Sequence, residues 1–84
     1  MTAVSEEQFR EWKRVAASRL AASLRRIRSV RGISQEKVAL DAGISVRTYS
    51  YLERGLSPAG SDANPTLETI LRVLTALEVD PPLL

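Results

Sequence analysis

Between Ser34 and Gly55 the chain carries two complete sets of helix start and stop signals within 22 residues. Ser34 and Ser45 each stand where a side-chain oxygen can satisfy the free N–H groups of a new helix. Gly43 and Gly55 each stand where the backbone leaves a helix through the left-handed region, which glycine enters without steric cost. The spacing predicts a helix over 35–42, a turn in which Ile44 is the apolar plug, and a further helix running to about Arg54. Two short helices joined this tightly must cross at close range, so a small residue is needed at the crossing, and Ala39 supplies it. Val38, Ala39 and Ala42 form the inner face of the first helix, and Tyr49 and Leu52 that of the second. Gln35, Ala39, Gly43, Ile44, Tyr49 and Leu52 thus fill every demanding position of such a pair at once.

The same punctuation organises the rest of the chain. Ser5, followed by Gln8, is a capping-box pattern that places a helix start near Glu6. Phe9, Trp12, Ala16, Leu20, Leu24 and Ile27 then follow steps of three or four, an apolar stripe expected to continue to about Val30 before Gly32 ends it. Residues 55–65 are turn formers almost throughout and read as a loop. Thr66 caps a fourth helix with Leu67, Ile70, Leu71, Leu74 and Leu77 on one face. In the closing Asp80-Pro81-Pro82-Leu83-Leu84, Pro81 suits the first turn of a fifth helix, although too few residues follow to complete it. No strand alternation, repeat or low-complexity tract interrupts this pattern. The expected class is all-α, a bundle of four to five helices. Residues 1–19 form an N-terminal extension continuous with the first helix, and residues 20–84 form the domain proper, with its motif at 35–54.

Charge is distributed unevenly. Residues 10–54 hold eleven Lys or Arg against four acids, whereas residues 55–84 hold one Arg against four acids. A basic first half on a chain of net charge +2 points to an electrostatic footprint on one part of the molecule. The chain contains neither Cys nor His, so disulfides and ordinary thiol, imidazole and zinc chemistry are excluded. There is no glycine loop for phosphate, and Glu6, Glu7, Glu78 and Asp80 sit where helix-end charge explains them. No enzymatic activity, cofactor or metal is expected. The apolar runs are too short to span a membrane, and the expected location is cytoplasmic, associated with the nucleoid.

A helical wheel of the third helix, with Tyr49 inward and about 100° per residue, places Leu52 and Ser45 inward as well. Arg47, Tyr51 and Arg54 fall on the opposite side, with Ser50 beside them and Val46 at the edge. Such a face is either solvated or applied to DNA. In the second case Arg47 has two donors for guanine O6 and N7, Tyr51 offers a hydroxyl or a ring one turn later, and Val46 suits a thymine methyl. Val46, Arg47, Ser50 and Tyr51 are therefore the candidate base readers. Gln35 opens the second helix, where free N–H groups and the helix dipole favour a phosphate. Ser45 stands similarly at the next helix start, as a phosphate contact or as a cap alone. Arg31, Lys37 and Arg54 are the candidate cations for further phosphates. Glu53 lies only about 40° from the inward direction, an awkward place for a charge.

The segments Arg28–Gln35, Ala39–Ser45, Leu52–Gly55 and Asn64–Ile70 occur in an order that resembles the phage repressor/Cro-type helix-turn-helix family, the Xre-like, lambda-repressor-like regulators. The resemblance covers Leu20–Val79 and implies a five-helix DNA-binding domain. It implies that Gln35 sits against the DNA backbone while bracing the recognition helix, and that Arg28 pairs with Glu53 beneath the DNA-facing surface. It also implies a sequence-specific transcriptional regulator, typically a repressor, acting as a homodimer on a palindromic double-stranded operator. An antitoxin-like or other protein-interaction module on the same fold is the alternative. Two departures stand out. Nine residues, none basic, separate Gly55 from Pro65, where relatives have a shorter connection that often grips phosphate. Glu78 stands where relatives place a glycine, so the fourth helix either ends on a non-glycine left-handed cap or ends differently. Phe9 and Trp12 are expected to pack on the fourth helix or, alternatively, to form a dimer surface. Val79, Leu83 and Leu84 are further candidate dimer contacts, and Leu40, outward on the second helix, suits a partner.

Overall fold

Four helices form among the described residues, and each begins where a hydroxyl accepts a hydrogen bond from the backbone N–H three residues on. In the computed structural model, which describes residues 3–79, these are α1 (Glu6–Arg31), α2 (Gln35–Ala42), α3 (Val46–Leu52) and α4 (Leu67–Ala76). Their caps are Ser5, Ser34, Ser45 and Thr66, with oxygen-to-nitrogen distances of 3.0, 3.1, 3.0 and 3.1 Å. Replacing such a cap by alanine typically costs about 1 kcal/mol. The class is all-α, and no strand occurs among the described residues beyond one isolated bridge between Leu56 and Asp62.

The turn after α2 is closed at Gly43, whose φ is 73°, while the Ile44 N–H reaches back to the Ala39 carbonyl at 3.0 Å. A side chain at Gly43 would be strained and would also press on the Arg72 guanidinium at 3.3 Å. α3 is shorter than the sequence suggests and ends at Leu52 rather than near Arg54. The Arg54 and Gly55 N–H groups bond to Tyr51 and Leu52, tightening the last turn, and the Leu56 N–H then returns to Tyr51. Gly55, at φ 73°, lies 3.4 Å from the Ala17 carbonyl at the position a Cβ would take. The close approach of this turn to α1 therefore needs glycine.

The core is built from Leu24 of α1, Val38, Ala39 and Ala42 of α2, Tyr49 and Leu52 of α3, and Val73 and Leu77 from α4 and its end. Residues 55–63 are less loose than a run of turn formers implies. Ser57 and Ser61 close a small hairpin, the Ala63 N–H bonds to the Gly55 carbonyl, and Ala63 enters the core. The inward face of α4 is rotated from the expected one. Val73 is buried, whereas Leu67 and Leu71 are exposed. Glu78 takes φ 58°, so α4 ends on a non-glycine left-handed cap, the first of the two expected alternatives.

The largest correction concerns α1. Its buried positions are Ala17, Ala21 and Leu24, and the outer stripe expected to pack on α4 does not do so. Phe9 and Trp12 are 53% and 58% exposed, and Val30 at the other end is exposed too. Leu83 and Leu84, and the expected start of a fifth helix at Pro81, lie outside the described residues.

Candidate nucleic-acid interface

α3 is seven residues long and cannot hold its own orientation by helix propensity. Its buried side fixes it instead. Tyr49 is fully buried and Leu52 nearly so, which turns the other side of the helix outward. On that side the Tyr51 ring lies between two guanidinium groups, Arg47 at 5.7 Å and Arg54 at 5.3 Å from its centroid. The three residues form one row along α3 and the turn that follows it, with each arginine held over the ring. Val46 is exposed at the start of the row and Ser50 is half-buried beside it.

Beneath the row sits a buried carboxylate. Glu53 is only 3% exposed, and the Arg28 guanidinium donates to both of its oxygens, Nε to Oε2 at 2.5 Å and Nη2 to Oε1 at 3.0 Å. This bidentate fork is the strongest geometry available to a carboxylate. Arg28 Nη1 also donates to the Ile33 carbonyl at 3.0 Å, and Gln35 Nε2 donates to Glu53 Oε1 at 2.9 Å. Arg25 Nη1 donates to the Glu53 backbone carbonyl at the end of α3. One residue therefore ties together α1, the start of α2 and the end of α3.

The electrostatics follow from these contacts. Burial alone would raise the Glu53 pKa, but the hydrogen bonds from Arg28 and Gln35, with the Tyr49 hydroxyl close by, outweigh it and hold the carboxyl below its ordinary range. The Arg28 guanidinium is held above its ordinary value, first by its hydrogen bond to Glu53. Burial, and then the adjacent Glu53 carboxylate, push the Tyr49 phenol well above its ordinary value. That hydroxyl approaches the pair without meeting full hydrogen-bond geometry to any protein atom.

The residues singled out from the sequence divide into three groups. Arg47, Tyr51 and Arg54 are brought together, with Val46 and Ser50 alongside. Gln35 and Ser45 stand at the two helix starts beside this row. The Gln35 amide nitrogen is engaged with Glu53, and the Ser45 hydroxyl caps α3 and donates to Thr48 Oγ1 at 2.8 Å. Arg31 and Lys37 are tied elsewhere. Arg31 pairs with Glu78 at 3.0 Å, joining the end of α1 to that of α4, and Lys37 pairs with Asp41 at 2.9 Å along α2. Sequence reasoning did not single out Arg25. Its contact spans 28 residues, and nothing local marks an arginine in an arginine-rich stretch as the one that caps α3. Arg25 and Arg54, with Arg14, also line an open cleft of about 300 Å³ between α1 and the hairpin, opposite Asp62.

A helix-turn-helix family model matches residues 24–84, well over half of the chain. The chain belongs to the Cro/C1-type helix-turn-helix family. No match was found among curated proteins or among solved structures. For a helix-turn-helix protein, α2 is the helix that crosses the DNA backbone and α3 is the recognition helix. The Arg47–Tyr51–Arg54 row is then the outward face of the recognition helix, and the Arg28–Glu53 pair lies on its inner side. The match begins at Leu24, so the first eighteen residues of α1 lie before it. No helix among the described residues is long and apolar enough to cross a membrane.

Proposed function

We propose that this helix-turn-helix protein is a sequence-specific transcriptional regulator that reads a palindromic operator through the major groove as a homodimer. The observation that carries the reading is the outward row of α3 combined with the pinned carboxylate behind it. A helix of seven residues can discriminate bases only if its angle and depth in the groove are fixed, and Glu53 fixes both through Arg28, Gln35 and Arg25. Arg47 is the principal base reader, because its two donors match guanine O6 and N7. Tyr51 holds the Arg47 guanidinium over its ring and adds a hydroxyl at the base edges, while Val46 and Ser50 complete the face. Gln35, Ser45 and Arg54 contact phosphates on either side. For Gln35 this uses the backbone N–H groups at the start of α2, since its amide nitrogen already donates to Glu53. Arg31 and Lys37 join the phosphate set by exchanging their surface carboxylates for the DNA backbone, an exchange of small cost for exposed ion pairs.

Selection of bound sites from random duplex DNA tests this reading. The expected product is one short motif repeated about a two-fold axis, with half-sites about 34–36 Å apart along the duplex. Recovery of unrelated sequences with no common motif would contradict it.

A further inference from the structure

The first half of α1 is an arm that holds no buried residue. Ala17 is the first buried one among the described residues, so residues 6–16 project beyond the core. On this arm Phe9 and Trp12 are each more than half exposed, and Trp12, Val15 and Ala16 line an open groove bordered by Glu11 and Arg19. On a helical wheel Phe9, Trp12 and Ala16 fall within about 60° of one another, and this face lies roughly 110° around the helix from Ala17, Ala21 and Leu24. Covering it does not compete with the core. We propose that the arm binds the arm of a second copy of this chain, antiparallel, with the two helices crossing between Phe9 and Trp12.

The charges on the arm identify the occupant and its direction. Glu6 and Lys13 are one heptad apart and flank the same edge of the apolar face. Parallel pairing would lay each Glu6–Lys13 edge against the opposite edge of the second copy, which carries Gln8 and Val15, and would form no ion pair. Antiparallel pairing sets Glu6 beside Lys13 of the second copy, twice, and opposes the helix dipoles. The same register places Phe9 across from Trp12 of the second copy and Ser5 across from its Ala16, so aromatic meets aromatic and small meets small. The face is self-complementary, as a two-fold interface requires. Lys13 Nζ lies 5.9 Å from the Phe9 ring centroid, so its charge is already at the edge of the face. This inference deepens the dimeric part of the proposed function by naming its interface, and it is independent of DNA.

The chain has no cysteine and one tryptophan, which makes the test clean. Glu6→Cys and Lys13→Cys proteins are treated with a short thiol-to-thiol cross-linker, separately and mixed. A cross-linked dimer in the mixture, and little in either protein alone, is the expected result. Cross-linking no more efficient in the mixture than in either protein alone would mean that Glu6 does not lie beside Lys13 of the second copy, and would overturn the proposal. In the unmodified protein, Trp12 emission should shift to the blue as concentration rises, in step with dimer formation by sedimentation. A protein that stays monomeric at tens of micromolar with unchanged emission would also overturn it, leaving the face to some other partner. Phe9→Ser with Trp12→Ser should abolish the dimer while leaving the melting temperature of dilute protein unchanged, because neither residue is in the core. Affinity for duplex DNA is a separate readout. A chain that prefers no sequence yet cross-links as described sinks the DNA reading and leaves the arm pairing standing.

Discussion

At the scale of single residues, Glu53 holds the end of α3 and Arg47 is the proposed base reader. Removing one partner of a buried ion pair strands the other charge, typically at about 3–5 kcal/mol. For a domain of this size that corresponds to a fall in melting temperature of at least about 10 °C. Arg28→Ala and Glu53→Ala should each show such a fall, whereas Arg54→Ala, an exposed change, should leave melting almost untouched. Equal melting temperatures for the three would remove the pair from the account. The pH dependence has a definite sign. Because the Glu53 carboxyl is depressed in the folded chain, its contribution is fully present above the ordinary carboxylate value and is lost as pH falls through the lowered native value. Acid titration of stability should therefore be steeper for the unaltered protein than for Glu53→Gln, and parallel curves would refute the assignment. Arg47→Ala, by contrast, should spare stability. Loss of one bidentate base contact costs about 1–3 kcal/mol of discrimination and leaves the salt-sensitive phosphate term in place. If that variant keeps the original ratio of specific to random-DNA affinity in a titration, Arg47 does not read bases.

At the scale of elements, the legible parts were those set by local chemistry. Ser34, Gly43 and Ser45 fix the ends of α2 and the start of α3 through contacts within a few residues, and such contacts are written in the sequence. The inner faces of α2 and α3 were equally plain, since Val38, Ala39, Ala42, Tyr49 and Leu52 leave no rival face. α4 had a rival. Its apolar residues are numerous enough to form two overlapping stripes, and only packing against α2 selects the one through Val73 and Leu77 over the one through Leu67 and Leu71. α1 misled for a different reason. Its stripe runs unbroken from Phe9 to Ile27, but the hairpin meets it at Ala17 and no other described element covers what precedes. Long-range contacts such as Arg25 to the Glu53 carbonyl leave no local trace at all. The end of α4 supplies a test at this scale. Glu78 occupies a left-handed position that costs a side chain about 1 kcal/mol, while its exposed pair with Arg31 returns at most about as much. Glu78→Ala keeps the strain and loses the pair, whereas Glu78→Gly loses both. Denaturant unfolding should find the glycine variant more stable than the alanine variant by about 1 kcal/mol, and the reverse order would mean that the cap is not strained.

At the scale of the whole molecule, three parts are distinct among the described residues. α1 before Ala17 holds no buried residue, the core fixes the helix-turn-helix, and the row on α3 faces outward. The proposed function requires that row to discriminate sequence. The most direct measurement is the affinity of the purified protein for the duplex it selects and for a scrambled duplex of the same composition and length, compared at several salt concentrations. A specific site should be bound at least about a thousandfold more tightly than the scrambled one, with both affinities falling as salt rises. Equal affinities for the two duplexes at every salt concentration would contradict the account, because the protein would then hold only the phosphate backbone.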